Sequence, residues 1–284
     1  MSMFSVIITH YNRLENLRNT LKGLGRQSLV PFEVIIVEMG EGLELHETFP
    51  FSLKIIDYEH SWTFMPLAAA RNLGAELAQT DHLIFLDVDC IPSHTFCEQM
   101  FVACSEKDAL IMGSPRYLLS NGIENAETKL KDNSILHPSR PKVDGLRLEK
   151  CYEVFWSLCF SIPKEQFEYM GGFDDRYVGY GAEDTDFALE VKMAGIAFYL
   201  SEAEVYHQQH PIFVPPLNHL EAIVKNSNIF YSKWDYWPMV DCLSDFTSMG
   251  YIAWKEKSDF PIILLNKPTA DEVKSRLIKN APYR

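Results

Sequence analysis

The chain has no apolar run approaching the roughly 20 residues of a membrane-spanning helix. It also has no signal-peptide layout, because MSMFSVIITHYNR passes straight into a strand pattern. The expectation is a cytoplasmic protein without a transmembrane segment. Positive charge is scarce: Lys and Arg total 26 against 39 for Asp and Glu, a formal net charge of −13. Phosphate backbones are bound by clustered cations, so this balance argues against a nucleic-acid partner and a polybasic membrane anchor. A local basic pocket remains compatible with it. The six cysteines, at 90, 97, 104, 151, 159 and 242, show neither CxxC spacing nor a short-interval framework. They are read as buried, reduced thiols. Internal repeats and low-complexity tracts are missing as well.

What is present is ordinary globular composition, 47% hydrophobic and 23% charged, and a regular alternation of elements. Apolar, β-branched runs at 4–9, 32–37, 54–58 and 82–86 predict strands. Between them, Leu14, Leu17, Leu21 and Leu24 repeat at helical spacing, and 67–78 is an alanine-rich helical stretch. Such alternation implies βαβ units, hence an α/β fold with a mainly parallel sheet flanked by helices. Ligands bind beyond the carboxyl ends of strands in such sheets. Those ends are polar here: Thr9-His10-Tyr11-Asn12-Arg13 after the first, Glu38 after the second, Asp87-Val88-Asp89 after the fourth.

Side chains two apart in an extended segment point the same way. Asp87 and Asp89 would then converge on one hard cation such as Mg²⁺ or Mn²⁺. An acidic turn is the plain alternative for a lone Asp-x-Asp. The block GGFDDRYVGYGAEDTD (171–186) is more specific. Its glycines permit tight turns and close backbone approach to a ligand, and it delivers Glu183 and Asp184 to the start of an amphipathic helix. Helix capping would explain one acid there, but not why a glycine-rich loop gathers several.

Taken in order, SVIITHYNR (5–13), the Asp-x-Asp and the 171–186 block with its helix resemble a family 2 glycosyltransferase of GT-A fold. The last block is also similar to the acceptor-side segment of β-1,4-galactosyltransferases and polypeptide N-acetylgalactosaminyltransferases. The resemblance spans about residues 4–210. It implies a catalytic domain over 1–210, with a Rossmann-like nucleotide-sugar-binding half at 1–90 and an acceptor-side half at 91–210. A mainly helical extension, 211–284, would pack on it. The implied donor is a UDP-sugar, bound along Thr9, Tyr11 and Arg13 with Tyr11 against the base. Glu38 would meet uracil, Arg71 the diphosphate or sugar, and Asp87 the ribose, with Val88 between the two acids. The resemblance further implies Mn²⁺ (or Mg²⁺) on Asp89 and His207, Asp184 as general base, and Glu183 on acceptor or sugar hydroxyls. His210 competes with His207 for the metal. The activity implied is transfer to an acceptor hydroxyl with inversion, the acceptor being a glycan, a lipid-linked group or a protein.

Departures from the family pattern fall at Glu38-Met39-Gly40-Glu41, where relatives often carry Asp-Asp-Gly-Ser, and at Phe155-Trp156-Ser157, where many carry Gly-Gly-Asn. Trp156 is a candidate to stack on acceptor sugar, or a core aromatic. Residues 120–150, polar and aperiodic, read as a long loop and a candidate lid. Two helices are expected at 217–232 and 236–249, then a short strand and a last helix. The aromatics at 230–237 and 254 would wall the acceptor site or form core. Two other readings are a non-catalytic sugar- or nucleotide-binding relative and a sugar nucleotidyltransferase. The latter lacks the glycine-rich loop that it would need after the first strand.

Overall fold

The computed structural model describes residues 3–40, 42–58, 63–122, 124, 126–140 and 142–281. Glu41, named above in the second-strand motif, lies outside the described residues, as do three positions of the 120–150 segment.

The first strands and helices form where the apolar patterns place them: β1 (Ser5–His10), α1 (Leu14–Leu24), β2 (Glu33–Glu38), β3 (Ser52–Asp57), α2 (Leu67–Leu77) and β4 (His82–Leu86). Every residue of β1 and β2 is buried, which is why they read as continuous apolar runs rather than alternating ones. The chain continues through β5 (Cys90–Pro92), α3 (Phe96–Lys107), β6 (Leu110–Leu118), α4 (Glu127–Asp132), β7 (Ser134–Leu136) and β8 (Leu146–Glu149). It then forms β9 (Cys159–Pro163), α5 (Lys164–Tyr169), α6 (Glu183–Met193) and β10 (Phe198–His207).

All ten strands join one sheet in the order β3-β2-β1-β4-β9-β6-β10-β5, with β7 beside β6 and β8 beside β10. The β3-β2-β1-β4 half is parallel throughout, and β6 runs parallel to β10; β9 enters antiparallel between β4 and β6. The sheet is therefore mixed. Its two faces carry separate cores. Val6 and Ile8 pack with α1 and α3 (Leu17, Leu21, Phe96, Met100), whereas Ile7, Ile35 and Phe85 pack with α2, α5 and α6 (Ala70, Phe167, Phe187). Close approach of α2 needs Gly74, where a Cβ would lie 2.5 Å from Ile7 Cγ2.

The 120–150 segment is not the structureless loop expected, since it holds α4, β7 and β8. Cys90, Cys97, Cys104 and Cys159 are buried thiols as expected, but Cys151 is exposed. Beyond β10 come α7 (Leu220–Trp234), α8 (Val240–Ser248) and α9 (Ala270–Ser275). Two small ribbons accompany them, Ile212–Phe213 with Leu277–Ile278 and Ile252–Ala253 with Ile263–Leu264. Phe230 and Trp237 are buried, and Trp237 stacks on Tyr231 and meets Trp254 edge-on, so these aromatics form core. Among the described residues no helix is long and apolar enough to cross a membrane.

Candidate active site

Four segments meet at the carboxyl ends of β1, β2 and β4. After β4 the chain does not stay extended. Residues 88 and 89 form a turn, closed by the Cys90 N–H donating to the Asp87 carbonyl at 3.0 Å. The two carboxylates therefore have different partners, and Asp89 but not Asp87 belongs to the cluster of possible metal ligands. Asp87 faces Arg71 of α2, whose Nη2 lies 3.4 Å from Oδ1. Asp89, only 3% exposed, faces the end of β10.

Strand pairing explains that meeting. β5 follows Asp89 at once and runs antiparallel to β10 with Cys90 opposite His207, and the Gln208 N–H donates to the Asp89 carbonyl at 2.8 Å. His207 Nε2 lies 3.5 Å from Asp89 Oδ1 and His210 Nε2 lies 3.7 Å from Oδ2. One ligand atom from each of Asp89, His207 and His210 falls within 4.8 Å of the others. One carboxylate and two imidazoles form a donor set that Mn²⁺, a hard cation that still takes imidazole nitrogen, accepts more readily than Mg²⁺, which favours oxygen ligands and retained waters. The residues present thus fit a divalent metal, and both histidines belong to the set. Arg13, from the loop after β1, also pairs with Asp89. Burial raises the Asp89 carboxyl, but His207, Arg13 and His210 outweigh it and hold the group ionised, below its ordinary range. Burial instead depresses His210, which favours the neutral imidazole that ligation requires.

Thr9 is buried and Tyr11 half-buried. Tyr11 and Glu38 flank Gly40, where a Cβ would lie 2.7 Å from Glu38 Oε1 and 3.4 Å from Tyr11 Cδ2. Glu38 is itself engaged. It pairs with His10, a partner the sequence reading missed, and accepts the Gly40 N–H at 2.6 Å. The carbonyl of Val88 accepts from Thr20 Oγ1 at 2.8 Å, which pins the turn between the two aspartates to α1.

The acidic block reaches the same place from the other core. Asn72 of α2 grips the 171–175 turn: its Nδ2 donates to the Phe173 carbonyl (2.8 Å) and to Asp175 Oδ1 (2.7 Å), and its Oδ1 accepts the Phe173 N–H (2.9 Å). Gly172 is required there, with φ +69° and a would-be Cβ 2.5 Å from Asn72 Oδ1. Ala182, left-handed at φ 71°, then turns the chain into α6, so that Glu183 and Asp184 begin a helix at the site. Arg71 bridges the two halves, with Nη1 3.9 Å from Glu183 Oε1. That nitrogen is buried without a hydrogen-bond partner. Burial and the neighbouring Asp184 push Glu183 up to about 7, with Arg71 opposing. Burial raises Asp184 too, against hydrogen bonds from Thr185. Burial likewise raises Asp87, with Arg71 opposing.

Trp156 is half-buried. Its ring lies 3.5 Å from Arg140 Cζ and edge-on to His137. Asn226, at 1% exposure on α7, holds the 178–181 loop through the Val178 N–H and the Val178, Tyr180 and Gly181 carbonyls. Neither Arg140 nor Asn226 was expected from the sequence. The one available signal was a polar Asn226 among the apolar positions of its helix.

Mixed sheet, strand-end acids, a carboxylate–imidazole cluster and a glycine loop feeding an acidic helix start together define a glycosyltransferase of GT-A fold. The sequence profile described as Glycosyl transferase family 2 matches residues 5–162, more than half of the chain, and the chain belongs to that family. A second profile, N-terminal domain of galactosyltransferase, matches 140–211. The chain is 25% identical over 225 residues to validoxylamine A glucosyltransferase of Streptomyces hygroscopicus subsp. limoneus, covering 70% of this chain and 50% of that protein. It is 25% identical over 238 residues to chondroitin synthase of Pasteurella multocida, covering 73% and 25%. Amylovoran biosynthesis glycosyltransferase AmsB of Erwinia amylovora is 38% identical over 208 residues, with 69% and 66% covered. The chain thus spans 50% and 25% of the first two of these curated relatives. Among solved structures, GalNAc-T7 with UDP, GalNAc and Mn²⁺ aligns at TM-score 0.58 and 15% identity, over 73% of this chain and 44% of that one. S. aureus TarS 1-349 aligns at 0.54 and 14%, over 79% and 64%. At such identities these two speak to the fold.

Proposed function

We propose that the chain transfers a sugar from a UDP-sugar to an acceptor hydroxyl, with a divalent metal, Asp184 as general base and inversion at the anomeric carbon. The observation that carries this is the Asp89–His207–His210 cluster at the strand ends, next to Asp87, which Arg71 links to Glu183. A neighbour in fold was solved with UDP and Mn²⁺ and TarS with UDP, which supports the choice of nucleotide.

Asp89, His207 and His210 would hold the metal, which when bound supplies Lewis-acid stabilisation of the diphosphate leaving group. Tyr11 and Glu38 are suited to line the base, and Asp87 to meet the ribose beside them. Arg71 brings a buried, unsatisfied donor to the diphosphate or donor sugar, and its fixed position requires no reorganisation as charge develops. Asp184, raised by burial, is a stronger base than an exposed carboxylate and accepts the acceptor's proton as the oxygen attacks. Glu183 is suited to bind a sugar hydroxyl, since a carboxyl near 7 can donate or accept at neutral pH. Attack in line with the departing diphosphate, on the face opposite to it, inverts the centre.

Calorimetric titration of UDP with and without Mn²⁺, on wild type, Asp89→Ala and Asp184→Asn, tests the reading. Wild type should bind UDP in a Mn²⁺-dependent manner, more strongly than with Mg²⁺, and Asp89→Ala should lose about tenfold or more of that affinity. Asp184→Asn should keep UDP affinity and lose at least about a hundredfold in turnover. Metal-independent UDP binding would remove the metal from the proposal, and lost UDP affinity in Asp184→Asn would remove the base.

A further inference from the structure

Arg140 lies in the aperiodic 120–150 segment, yet it is held in place. Its N–H donates to the His137 carbonyl at 2.9 Å, and His137 Nδ1 accepts the Ser139 N–H at 3.1 Å, so 137–140 is a closed turn. That turn places the guanidinium carbon over the Trp156 ring, 3.5 Å from its centroid. Trp156 is anchored in turn, its backbone N–H donating to Met112 Sδ at 3.2 Å and its ring meeting His137 edge-on at 5.2 Å. A continuous row of rings then leads to the metal cluster: His137 to Tyr117 at 5.8 Å, Tyr117 to His207 at 5.0 Å. Arg140 is also within electrostatic reach of Tyr117, Asp184 and Glu149. It is thereby tied to the acidic start of α6 and, through the row of rings, to the Asp89–His207–His210 cluster.

One of its donors is left without a partner. Arg140 Nε is buried with no hydrogen-bond partner, and no ion pair to it forms among the described residues. Burial is strong enough to depress the group to about 10. A desolvated guanidinium with an orphaned donor is unfavourable for the fold unless an anion completes it. A single guanidinium close to Asp184 and Glu149 balances a monoanion better than a phosphate dianion, and its planar edge matches a carboxylate.

We propose that Arg140, stacked on Trp156, is a subsite for the carboxylate of an acidic sugar carried by either the donor or the acceptor. This rests on the assignment of the cleft to glycosyl transfer from a UDP-sugar. The test uses paired probes with Mn²⁺ present. In the donor arm UDP-glucuronic acid is titrated against UDP-glucose. In the acceptor arm, with UDP bound, a uronic-acid oligosaccharide is titrated against its carboxyl-reduced form. Wild type, Arg140→Ala and Arg140→Lys are compared, with UDP alone as control. In one arm the acidic probe should bind about tenfold tighter than its neutral twin, the scale of one charge-assisted contact. Arg140→Ala should abolish that preference with UDP affinity kept within about twofold, and Arg140→Lys should keep part of it; the responding arm identifies the sugar. Equal binding of acid and neutral probes in both arms, or a preference that survives Arg140→Ala, overturns the subsite. So does loss of UDP affinity in Arg140→Ala, which would put Arg140 on the diphosphate instead. Absence of UDP binding by wild type would overturn the underlying assignment and this inference with it.

Discussion

Burial and Asp184 raise the Glu183 carboxyl from 4.5 to about 7, and that shift has a sign. Between those values the folded chain binds more protons than the unfolded one, so unfolding free energy falls as pH rises through the window and levels off above it. The ionised Glu183 is therefore a local destabilisation kept at the site, in the manner of many catalytic clefts. Glutamine cannot ionise. Glu183→Gln should be nearly neutral in stability at pH 4.5 and more stable than wild type, on the order of 3 kcal/mol, at pH 8. Urea unfolding at the two pH values reads the difference directly. A gap that stays constant between them would mean that Glu183 ionises in the folded chain as it does in water. Activity should fall in the same variant, because glutamine cannot carry the charge with which Glu183 is proposed to bind sugar hydroxyls.

At the scale of elements, the parts legible in the sequence are those whose stability is local. The β1, β2 and β4 strands are buried on both faces, so β-branched runs announce them and the polar residues that follow mark the ligand end of the sheet. The glycine-rich 171–186 block was legible for a similar reason, since only glycine suits φ +69° against Asn72 at position 172. By contrast β7 and β8 exist through their pairing with β6 and β10, the latter some way along the chain, and three- or four-residue strands leave no periodicity to read. The same holds for side chains. Asp87 and Asp89 stood out as a pair, but the turn that gives them different partners depends on a hydrogen bond at Cys90 that no spacing rule conveys. Arg140 matters because of Trp156 and Asp184, distant in sequence, and so it stayed hidden in a polar stretch.

Asn226 shows how an element outside the strand-end site governs it. Its amide is the common partner of the loop that ends in Ala182 and presents Glu183. Replacing it by alanine leaves one buried N–H and up to three carbonyls unpaired, a loss of about 2–3 kcal/mol of stability. The loop should then hold the Glu183–Asp184 pair less firmly. Turnover by Asn226→Ala should drop by about tenfold or more while Mn²⁺-dependent UDP affinity stays near wild type, because misplacing a reacting group costs rate rather than donor binding. Parallel losses in both quantities would show a general collapse of the site instead.

For the whole molecule, the question is whether residues 211–284 act as a unit of their own. They carry a separate apolar cluster around Leu220, Trp237 and Phe246, which would favour independence. Against it stand contacts that tie α7 to the catalytic part. Phe230 is buried with Tyr177, Ala182 and Leu189. Asp186 of α6, 1% exposed, accepts from Lys233 Nζ at 2.9 Å, Trp234 Nε1 at 2.7 Å and Tyr177 Oη at 3.1 Å. Lys233 also reaches Glu190 at 2.8 Å. Breaking such a buried charged network typically costs about 3–5 kcal/mol, more than a small appended cluster of this kind supplies beyond its own ordering entropy. The two parts should therefore unfold together. Three of the five tryptophans, Trp234, Trp237 and Trp254, lie in the C-terminal part, so tryptophan fluorescence weights that part while far-UV circular dichroism weights the whole. Their urea transitions should coincide in wild type. In Asp186→Ala both should shift to lower urea, with fluorescence leading if the lost network was the coupling. Separate midpoints in wild type would mean that the C-terminal helices merely rest on the catalytic part, and the placement of the 178–181 loop by Asn226 would then vary with their local unfolding.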